Sequence, residues 1–359
     1  MRVGLVVYGS LDSRSGGYLY DRKLVEFLRE AGDTVVVVSL PWRSYPLHLA
    51  DNLSAGLFER MKRLEVDILI QDELNHPSLF ALNRQLRPVV AYPTVALVHH
   101  LRISEQHPAL PMLIYPFVER AYLRSVDGFI CNSRTTEAVV GRHARTGTPA
   151  VVAVPGRDSV EIEIEPETIA RRAEEPGPLR VLFVGSLTRR KGLHTLLAAL
   201  ERLRPETWTL TVVGGSDAEP GYADRQRAFV DRRGWGERVR FAGYVEPAGL
   251  AGLLLRHHVL AGPSQYEGYG IAHLEGLGAG LAVIASTGGG VGEFIRDGEN
   301  GLLVDPEDPG GLADLLSSLN EDRAMLVRLG VRARASYIAH PTWGESMAVA
   351  RDFLVGLKE

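Results

Sequence analysis

Two glutamates flank a glycine-rich turn in the second half of the chain. The segment from Gly262 to Glu275 reads GPSQYEGYGIAHLE, with Glu267 in the turn after an apolar run and Glu275 eight residues later. The run has the length of a buried strand, and the apolar spacing after it predicts a helix. Carboxylates accept hydrogen bonds from neighbouring hydroxyl groups, so each glutamate could bind a different sugar. Gly268 and Gly270 allow backbone N–H groups to approach a ligand at the start of that helix.

A second candidate site is a basic turn near the start of the second half. Arg189, Arg190 and Lys191 stand together before a predicted helix, and the turn opens with Gly185 and Ser186. Positive charge at a helix N-terminus opposes the helix dipole unless an anion binds there. The turn therefore favours a phosphate site, and the alternative is a solvated basic loop.

The first half offers two weaker candidates. Gly16 and Gly17 belong to a Gly/Ser loop after the first apolar run, where the backbone could approach a phosphate or a sugar. The alternative for that loop is a flexible, solvated segment. His99 and His100 follow another apolar run. A histidine pair at a strand end is, taken alone, more often structural or solvent-facing.

Several other chemistries lose support. No G-x-G-x-x-G motif follows a predicted strand and no G-x-x-x-x-G-K-[ST] motif occurs, which argues against dinucleotide cofactors and P-loop chemistry. The formal net charge of −4 gives no footprint for general nucleic-acid binding. Cys131 is the only cysteine, so an internal disulfide and a multi-thiolate zinc site are excluded.

The elements that position these turns follow a βαβ pattern. Short β-branched runs without polar alternation are separated by stretches of helical period, as expected for parallel strands buried on both faces. The strands predicted in the first half are Arg2 to Tyr8, Thr34 to Ser39, Val66 to Gln71, Pro93 to His99, Gly128 to Asn132 and Ala150 to Val154. Those predicted in the second half are Leu179 to Gly185, Trp208 to Gly214, Val239 to Gly243, Val259 to Pro263, Leu281 to Ala285 and Gly301 to Val304.

The two series predict an α/β protein with two similar halves in tandem, and a chain of 359 residues is long enough for two domains. The expected first domain covers residues 1–160 and the second covers residues 179–340. Residues 161–178 are interpreted as a linker, because apolar periodicity stops there and charge and proline take over. Residues 341–359 form a last amphipathic stretch that is expected to dock as a helix.

The donor-site pattern resembles that of a known family. The segment from Pro263 to Glu275, followed by GGVGE at 289–293 and DGENGLLV at 297–304, is similar to the signature of retaining glycosyltransferase family 4. The R-K-G at 190–192 also matches. The resemblance is specific over residues 179–305 and weaker in the first half. It implies the GT-B fold, in which two Rossmann-like domains face a cleft and a C-terminal helix crosses back to the first domain.

The resemblance also implies roles for individual residues. Glu267 would contact hydroxyls of the transferred sugar, Glu275 would bind the nucleotide ribose, and Lys191 would stabilise the departing diphosphate. His99 is the closest match to a family histidine beside the reacting sugar. The wider donor-binding set implied by the resemblance comprises Gly16, Gly17, Gly185, Ser186, Gly268, Tyr269, Gly270, Ile271 and Glu275.

One position departs from the family pattern. The family commonly has Gly-Arg after the first strand of this domain, with the arginine on the diphosphate, and this chain has Ser186 there. Either Arg190 or Arg189 would supply the missing charge. The expected catalytic group is Lys191, Arg190, Glu267 and His99.

The expected reaction is retaining transfer of a hexose from a nucleotide diphosphate sugar to an acceptor hydroxyl, in the cleft between the domains. Stabilising the leaving diphosphate requires Lys191, a neighbouring arginine and a helix N-terminus, and no metal. No D-x-D sequence occurs, which argues against a metal-dependent GT-A enzyme. We therefore expect neither a metal nor a cofactor, a UDP-sugar as the default donor, and a role in carbohydrate biosynthesis.

Two alternatives stay open: a GT-B nucleotide-sugar epimerase, and a non-catalytic protein that binds nucleotide sugars. The expected acceptor is a sugar, a lipid-linked molecule or another small molecule, and no nucleic acid is expected.

The apolar run from Val3 to Tyr8 is too short for a signal-peptide core, which favours a cytoplasmic protein. The segment 108–124 combines apolar residues with Arg120 and Arg124 and could lie on the inner face of a membrane; a core helix is the alternative.

Overall fold

A computed structural model describes residues 1–104 and 114–358. The chain divides into two units. Unit 1 comprises Met1–Pro155 and Pro341–Glu359, and unit 2 comprises Gly156–His340. Each unit contains a sheet of six parallel strands with helices packed on it, so the predicted α/β class with two parallel-sheet domains is confirmed.

Unit 1 has the strand order β2-β1-β3-β4-β5-β6. The strands are β1 (Arg2–Tyr8), β2 (Thr34–Leu40), β3 (Ile68–Asp72), β4 (Thr94–Val98), β5 (Gly128–Cys131) and β6 (Ala150–Val152). The helices are α1 (Gly16–Glu30), α2 (Tyr45–Asp51), α3 (Ala55–Lys62), α4 (His76–Leu79), α5 (Leu82–Leu86), α6 (Ile114–Leu123) and α7 (Arg134–His143). The strands β3, β4 and β5 are buried throughout, because helices cover both faces of a parallel sheet.

The helix α15 (Trp343–Lys358) completes unit 1. Its Trp343 ring meets Tyr20 of α1 edge-on, with 5.5 Å between ring centroids. Arg351 donates to the buried Asp33 carboxylate over 2.7 Å. The helix therefore adds both apolar and ionic contacts to a sheet whose strands lie far earlier in the chain.

Unit 2 has the strand order β12-β11-β10-β7-β8-β9. The strands are β7 (Leu179–Val184), β8 (Trp208–Val213), β9 (Val239–Gly243), β10 (Val259–Gly262), β11 (Ala282–Ser286) and β12 (Leu302–Val304). The helices are α8 (Pro166–Glu174), α9 (Leu193–Leu200), α10 (Pro220–Arg232), α11 (Pro247–Arg256), α12 (Ile271–Gly278), α13 (Pro309–Glu321) and α14 (Arg323–Ile338). The central β10 and its neighbour β11 are fully buried.

The stretch interpreted as a linker contains the helix α8 of unit 2. In the acidic run before it, Ile162 and Ile164 are buried, while Glu161, Glu163 and Glu165, which alternate with them, are exposed. Within α8, Ile169 lies against Gly280, and the buried Arg172 donates to the carbonyl oxygens of Ala279 and Gly280. Three isoleucines and one arginine thus anchor a segment whose overall composition is that of a linker.

The candidate membrane segment 108–124 lies only partly within the described residues. Residues 108–113 fall outside them, and α6 begins at Ile114. Within α6, Val118, Ala121, Tyr122 and Leu123 are buried in the core of unit 1, whereas Ile114 and Phe117 are exposed. Among the helices described, none combines the length and the hydropathy that crossing a membrane requires.

Candidate active site

The basic turn of unit 2 lies directly against the loop that follows β10. After β7, the chain passes through a short 3-10 turn (Arg189–Lys191) and reaches Gly192, which has φ +76° and begins α9. A Cβ atom at Gly192 would lie 2.0 Å from the carbonyl oxygen of Pro263, so only glycine allows this approach. The backbone N–H of Gln265 also donates to the carbonyl of Arg190 over 2.7 Å. The glycine of the R-K-G motif therefore brings Lys191 to the glutamate loop.

Lys191 and Glu267 form a close ion pair. The Nζ atom lies 2.6 Å from Oε1 and 2.8 Å from Oε2 of the glutamate, and Ser264 donates to Oε1 over 2.6 Å. The Glu267 side chain is 8% exposed and that of Lys191 is 22% exposed. Burial alone would raise the pKa of Glu267, but Lys191 and then Arg190 outweigh it and hold that pKa well below its usual range. Glu267 is therefore an anion at neutral pH.

The two arginines of the basic turn point to different surroundings. Arg190 donates from Nη1 to the carbonyl of Tyr266 over 2.7 Å, and the same atom lies 3.9 Å from Oε2 of Glu267. The Arg189 side chain is 67% exposed and lies 3.8 Å from Glu307. Arg190 therefore adds its charge to the Lys191–Glu267 pair, whereas Arg189 faces outward.

A run of glycines holds the backbone of Glu267 in place. Its N–H donates to the carbonyl of Gly288 over 3.1 Å, and its carbonyl accepts from the N–H of Gly290 over 2.8 Å. Gly289 has φ +97°, and a Cβ atom there would lie 2.0 Å from the carbonyl oxygen of Glu267. The run TGGGVGE thus fixes the backbone of the glutamate loop through hydrogen bonds and a close approach that glycine allows.

Glu275 lies in α12, which begins after Gly270, and it has surroundings unlike those of Glu267. It is buried, and among the described residues its carboxylate has no ion pair or hydrogen bond. Burial raises its pKa to about 8. A buried carboxyl group without a partner is costly, so a ligand that donates hydrogen bonds would be favoured here.

The Tyr269 side chain already has protein partners, so its backbone is the part we expect to contact a ligand. Its ring stacks on Phe294 with 4.9 Å between centroids, and its hydroxyl lies 3.2 Å from Nε2 of His340. Gly185 lies beside the Lys191 side chain, with 3.4 Å from a Cβ built there to Cδ. The structure thus brings Lys191, Arg190, Glu267 and Gly185 together, while Ser186 is half-buried in the same turn. Gly268, Tyr269, Gly270 and Ile271 lead from Glu267 into the helix that carries Glu275.

The remaining candidates form a separate cluster in unit 1. Gly16 and Gly17 begin α1, which Ser15 caps by accepting the N–H of Tyr18. A Cβ atom at Gly17 would lie 3.2 Å from the ring of His99, which follows β4. His99 is buried, and its Nε2 atom lies 2.9 Å from Oδ1 of Asp21.

Three carboxyl groups beside His99 were not predicted from the sequence: those of Asp21, Asp72 and Glu73. Asp72 ends β3 and Glu73 follows it, and both are buried. Glu73 accepts the backbone N–H of His99 over 2.9 Å. Asp72, Asp21 and His99 each place one potential ligand atom within 4.8 Å of the others. The sequence did contain one sign of this cluster: Asp72 and Glu73 are two adjacent acidic residues at the carboxyl end of an otherwise apolar strand.

Comparison with known proteins supports a common family for unit 2. Residues 165–336 match the family model described as glycosyl transferases group 1. The chain is 36% identical to a glycogen synthase of Mycobacterium tuberculosis over 170 residues, which cover 46% of this chain and 39% of that protein. It is 34% identical over 172 residues to a D-inositol 3-phosphate glycosyltransferase of Xylanimonas cellulosilytica, covering 48% and 41%.

A third relative aligns over a longer part of the chain. The GDP-mannose-dependent alpha-(1-6)-phosphatidylinositol monomannoside mannosyltransferase of M. tuberculosis is 31% identical over 221 residues, covering 56% of this chain and 54% of that protein. The alignments therefore span about half or less of the length of each relative.

Solved structures show the same fold over nearly the whole chain. Sucrose-phosphate synthase from Thermosynechococcus elongatus superposes with a TM-score of 0.82 at 24% identity, covering 99% of this chain and 98% of that one. The Anabaena protein HepE, solved with UDP and glucose, gives a TM-score of 0.77 at 18% identity, covering 99% and 100%. Residues 165–336 of this chain are therefore similar to the glycosyl transferases group 1 family, and the chain has the GT-B fold.

Proposed function

We propose that this chain is a retaining glycosyltransferase that moves a hexose from a nucleotide diphosphate sugar to an acceptor hydroxyl without a metal ion. The observation that supports this most is the buried Lys191–Glu267 pair with Arg190 beside it, a few residues before a helix that carries an unpartnered glutamate. The pair provides cations for the leaving group and an anion for sugar hydroxyls.

Lys191 has one hydrogen-bond donor left for a phosphate. An ammonium group has three N–H bonds, and the two oxygens of Glu267 take two of them. A diphosphate oxygen would accept the third. The anion beside Lys191 keeps the ammonium charged although burial lowers its pKa.

In the proposed step the bond between the anomeric carbon and the diphosphate oxygen breaks, and its electron pair stays on the diphosphate. Lys191 and Arg190 stabilise that charge, which is the largest contribution that fixed cations can make to such a reaction. The acceptor oxygen bonds to the anomeric carbon on the same face and releases its proton to the departing phosphate. Arg190 thereby supplies the charge that the family pattern has at the position of Ser186.

The two glutamates would bind different parts of the donor. Glu267, anchored by Ser264 and Lys191, would accept hydrogen bonds from the hexose hydroxyls. Glu275 would accept them from the ribose diol, which would satisfy its unpartnered carboxylate. His99 would contribute a further contact to the sugar.

The nucleotide of the donor sugar could be UDP or GDP. One relative is named GDP-mannose-dependent, and one structure with the same fold holds UDP. We keep UDP as the default and test GDP and ADP beside it.

A thermal-shift titration with UDP, GDP, ADP and their common sugar conjugates tests the donor site. A ligand at 100 times its dissociation constant should stabilise the fold by about 2.7 kcal/mol. We expect one nucleotide to raise the melting temperature, and we expect Glu275→Ala to abolish that rise. The exposed Glu299→Ala is the control and should leave it intact.

Product analysis separates transfer from its alternatives. Nucleoside diphosphate release that depends on an acceptor supports the transferase. Interconversion of the nucleotide sugar without an acceptor would identify an epimerase, and binding with neither reaction would identify a binding protein.

We also propose that unit 1 contacts a membrane peripherally at the inner face, through the start of α6. Phe117 is 69% exposed and Ile114 is 55% exposed, whereas the next turn of the helix is buried. Exposed aromatic and aliphatic side chains of this kind insert at the headgroup boundary. Co-sedimentation with anionic liposomes should be lost in Phe117→Ser, and no binding by the unaltered protein at low salt would end this proposal.

A further inference from the structure

The buried acidic cluster of unit 1 has no counterpart in the machinery proposed for unit 2. Asp21 lies in α1, Asp72 ends β3, and His99 follows β4. Asp21 and Asp72 are 0% exposed and His99 is 8% exposed. Three elements from different parts of the chain therefore meet at one enclosed point.

The hydrogen bonds leave one oxygen of each aspartate without a donor. Asp21 Oδ1 lies 2.9 Å from Nε2 of His99, and Asp72 Oδ1 accepts the N–H of Leu74 over 2.8 Å. Among the described residues, Oδ2 of Asp21 and Oδ2 of Asp72 have no donor. The two carboxyl groups nevertheless lie close together, because one oxygen of each and a ring nitrogen of His99 fall within 4.8 Å of one another.

Two ionised carboxylates this close would repel each other strongly in such a site. Among the described residues, only a protonated His99, with Nε2 2.9 Å from Asp21, could form an ion pair with either of them. Burial of the His99 ring disfavours that charged form. The charge of Arg22 also acts on Asp21, but its guanidinium donates to the carbonyls of Leu11 and Ser13. Glu73 adds a third buried acid and is occupied by the N–H of His99. A proton on one of the two aspartates would remove this repulsion and supply a donor that the buried oxygens lack.

We infer that Asp72 carries a proton that it donates to the Asp21 carboxylate, and that this pair holds His99 neutral, with its N–H on Nε2 and with Nδ1 left as an acceptor for a sugar hydroxyl. Asp21 and Asp72 are thus positioning residues that act through His99. The part that concerns the sugar rests on the proposed function, whereas the proton arrangement does not.

The charges around the cluster agree with this placement of the proton. Burial raises the pKa of Asp72 well above its ordinary value, and it raises that of Asp21 to about 7, with the hydrogen bond from Asp72 acting in the opposite direction. Burial also lowers the pKa of His99. Among the described residues Nδ1 of His99 has no hydrogen-bond partner, so this atom is available to a ligand.

The test is ¹⁵N NMR of the full chain labelled at histidine, near neutral pH and without ligand. The chemical shifts of the two ring nitrogens report which of them carries a proton, and His99→Gln assigns the signal among the 11 histidines. We expect a protonated Nε2 and an unprotonated Nδ1. Asp72→Asn should retain these shifts, because the amide donates to Asp21 as the protonated acid does. Asp21→Leu should move them towards a mixture of tautomers.

Three results would overturn the inference: a doubly protonated His99, a proton on Nδ1, or a stoichiometric divalent cation that elemental analysis detects and that Asp21→Leu removes. If Asp21→Leu does not fold, the unaltered protein and Asp72→Asn decide the question. The NMR spectrum is recorded without ligand and does not depend on enzymatic activity. The expected spectrum combined with no nucleotide binding would therefore leave the proton pair standing and reject the proposed function.

Discussion

Each unit of this protein buries carboxyl groups, but the two units treat them in opposite ways. In unit 2, Glu267 contacts Lys191 at 2.6 Å, with Arg190 close by, and its pKa is held below the usual range. In unit 1, Asp21 and Asp72 lie close together beside His99, and burial raises the pKa of both aspartates. The same burial therefore yields an anion in one place and a shared proton in the other.

The difference lies in the neighbours. A buried carboxylate loses its hydration, and only a close cation or several donors restore the charged form. The R-K-G turn brings that cation to Glu267, whereas no described lysine or arginine side chain is hydrogen-bonded to Asp21 or Asp72. Substitutions that remove a charge should therefore have unequal effects in the two units.

Removing the cation of unit 2 should have the largest effect. Lys191→Ala takes the phosphate-binding ammonium away and leaves Glu267 buried beside Arg190 alone. We expect turnover of the nucleotide sugar to fall about 10²- to 10³-fold. The free energy of unfolding should fall by about 3–5 kcal/mol. Steady-state rates and urea unfolding measure the two effects.

The matched control is Arg189→Ala, which removes a cation from the same turn. Its side chain is mostly exposed, so both quantities should stay close to those of the unaltered protein. A rate for Lys191→Ala that is close to normal would contradict the role given to Lys191.

Neutralising Glu267 should have the next largest effect. Glu267→Gln keeps the size of the side chain but replaces an anion that accepts from Lys191 and Ser264. We expect the free energy of unfolding to fall by about 2–3 kcal/mol, because hydrogen bonds to charged groups are lost and Lys191 is left without its anion. Chemical denaturation measures this loss. An unchanged unfolding midpoint would show that the ion pair does not stabilise unit 2.

Glu275 should make stability depend on pH. Its pKa is raised from 4.5 to about 8, so the folded protein holds this proton more tightly than the unfolded chain does. The free energy of unfolding should therefore fall as the pH rises through that window, by at most about 1.4 kcal/mol per pH unit for this one group. Glu267 acts in the opposite direction, since its contribution is lost only as the pH falls below the ordinary value for glutamate.

The variant Glu275→Gln should remove the contribution of Glu275 to the pH dependence of the free energy of unfolding. The variant Glu299→Gln, at an exposed position, should not change that pH dependence. Denaturant unfolding at a series of pH values measures the slope. Identical slopes for Glu275→Gln and the unaltered protein would mean that Glu275 is ionised in the folded state.

The smallest effect is expected for Asp72→Asn, the counterpart in unit 1 of Glu267→Gln. Asp72 is already neutral in our proposal, and the amide can still donate to Asp21 and accept from Leu74. The free energy of unfolding should change by less than about 1 kcal/mol. Asp72→Ala, which leaves both partners unsatisfied, should cost about 1–3 kcal/mol. If Asp72→Asn lowered the free energy of unfolding as much as Glu267→Gln, the proposed difference between the two units would be wrong.

The residues that sequence reasoning found share one property: each lies in a short segment with an unusual local pattern. Lys191 stands in a basic turn and Glu267 in a glycine-rich one, so their contact could be expected from strand ends that meet at one edge of a sheet. Asp21 lies 78 residues from His99 and carries no such pattern. Their pairing depends on how α1 packs against the sheet, which periodicity does not reveal.

The acidic stretch before α8 shows the converse case. Its charge and proline content suggested a linker, but the alternation of isoleucine with glutamate was also a pattern of burial on one side. The structure buries Ile162 and Ile164 and exposes the glutamates that alternate with them. Average composition concealed a segment that is anchored to unit 2.

The return of the chain to unit 1 after residue 340 affects how the protein is made. A ribosome adding about 5–20 residues per second finishes the sheet of unit 1 many seconds before α15 emerges. During that interval the places later filled by Trp343 against Tyr20 and by Phe353 near Gly128 stay open to water. Unit 2 is synthesised in full within the same interval, so the part of the protein that begins first is completed last. The surface of unit 1 that α15 covers therefore stays exposed until that helix has been synthesised.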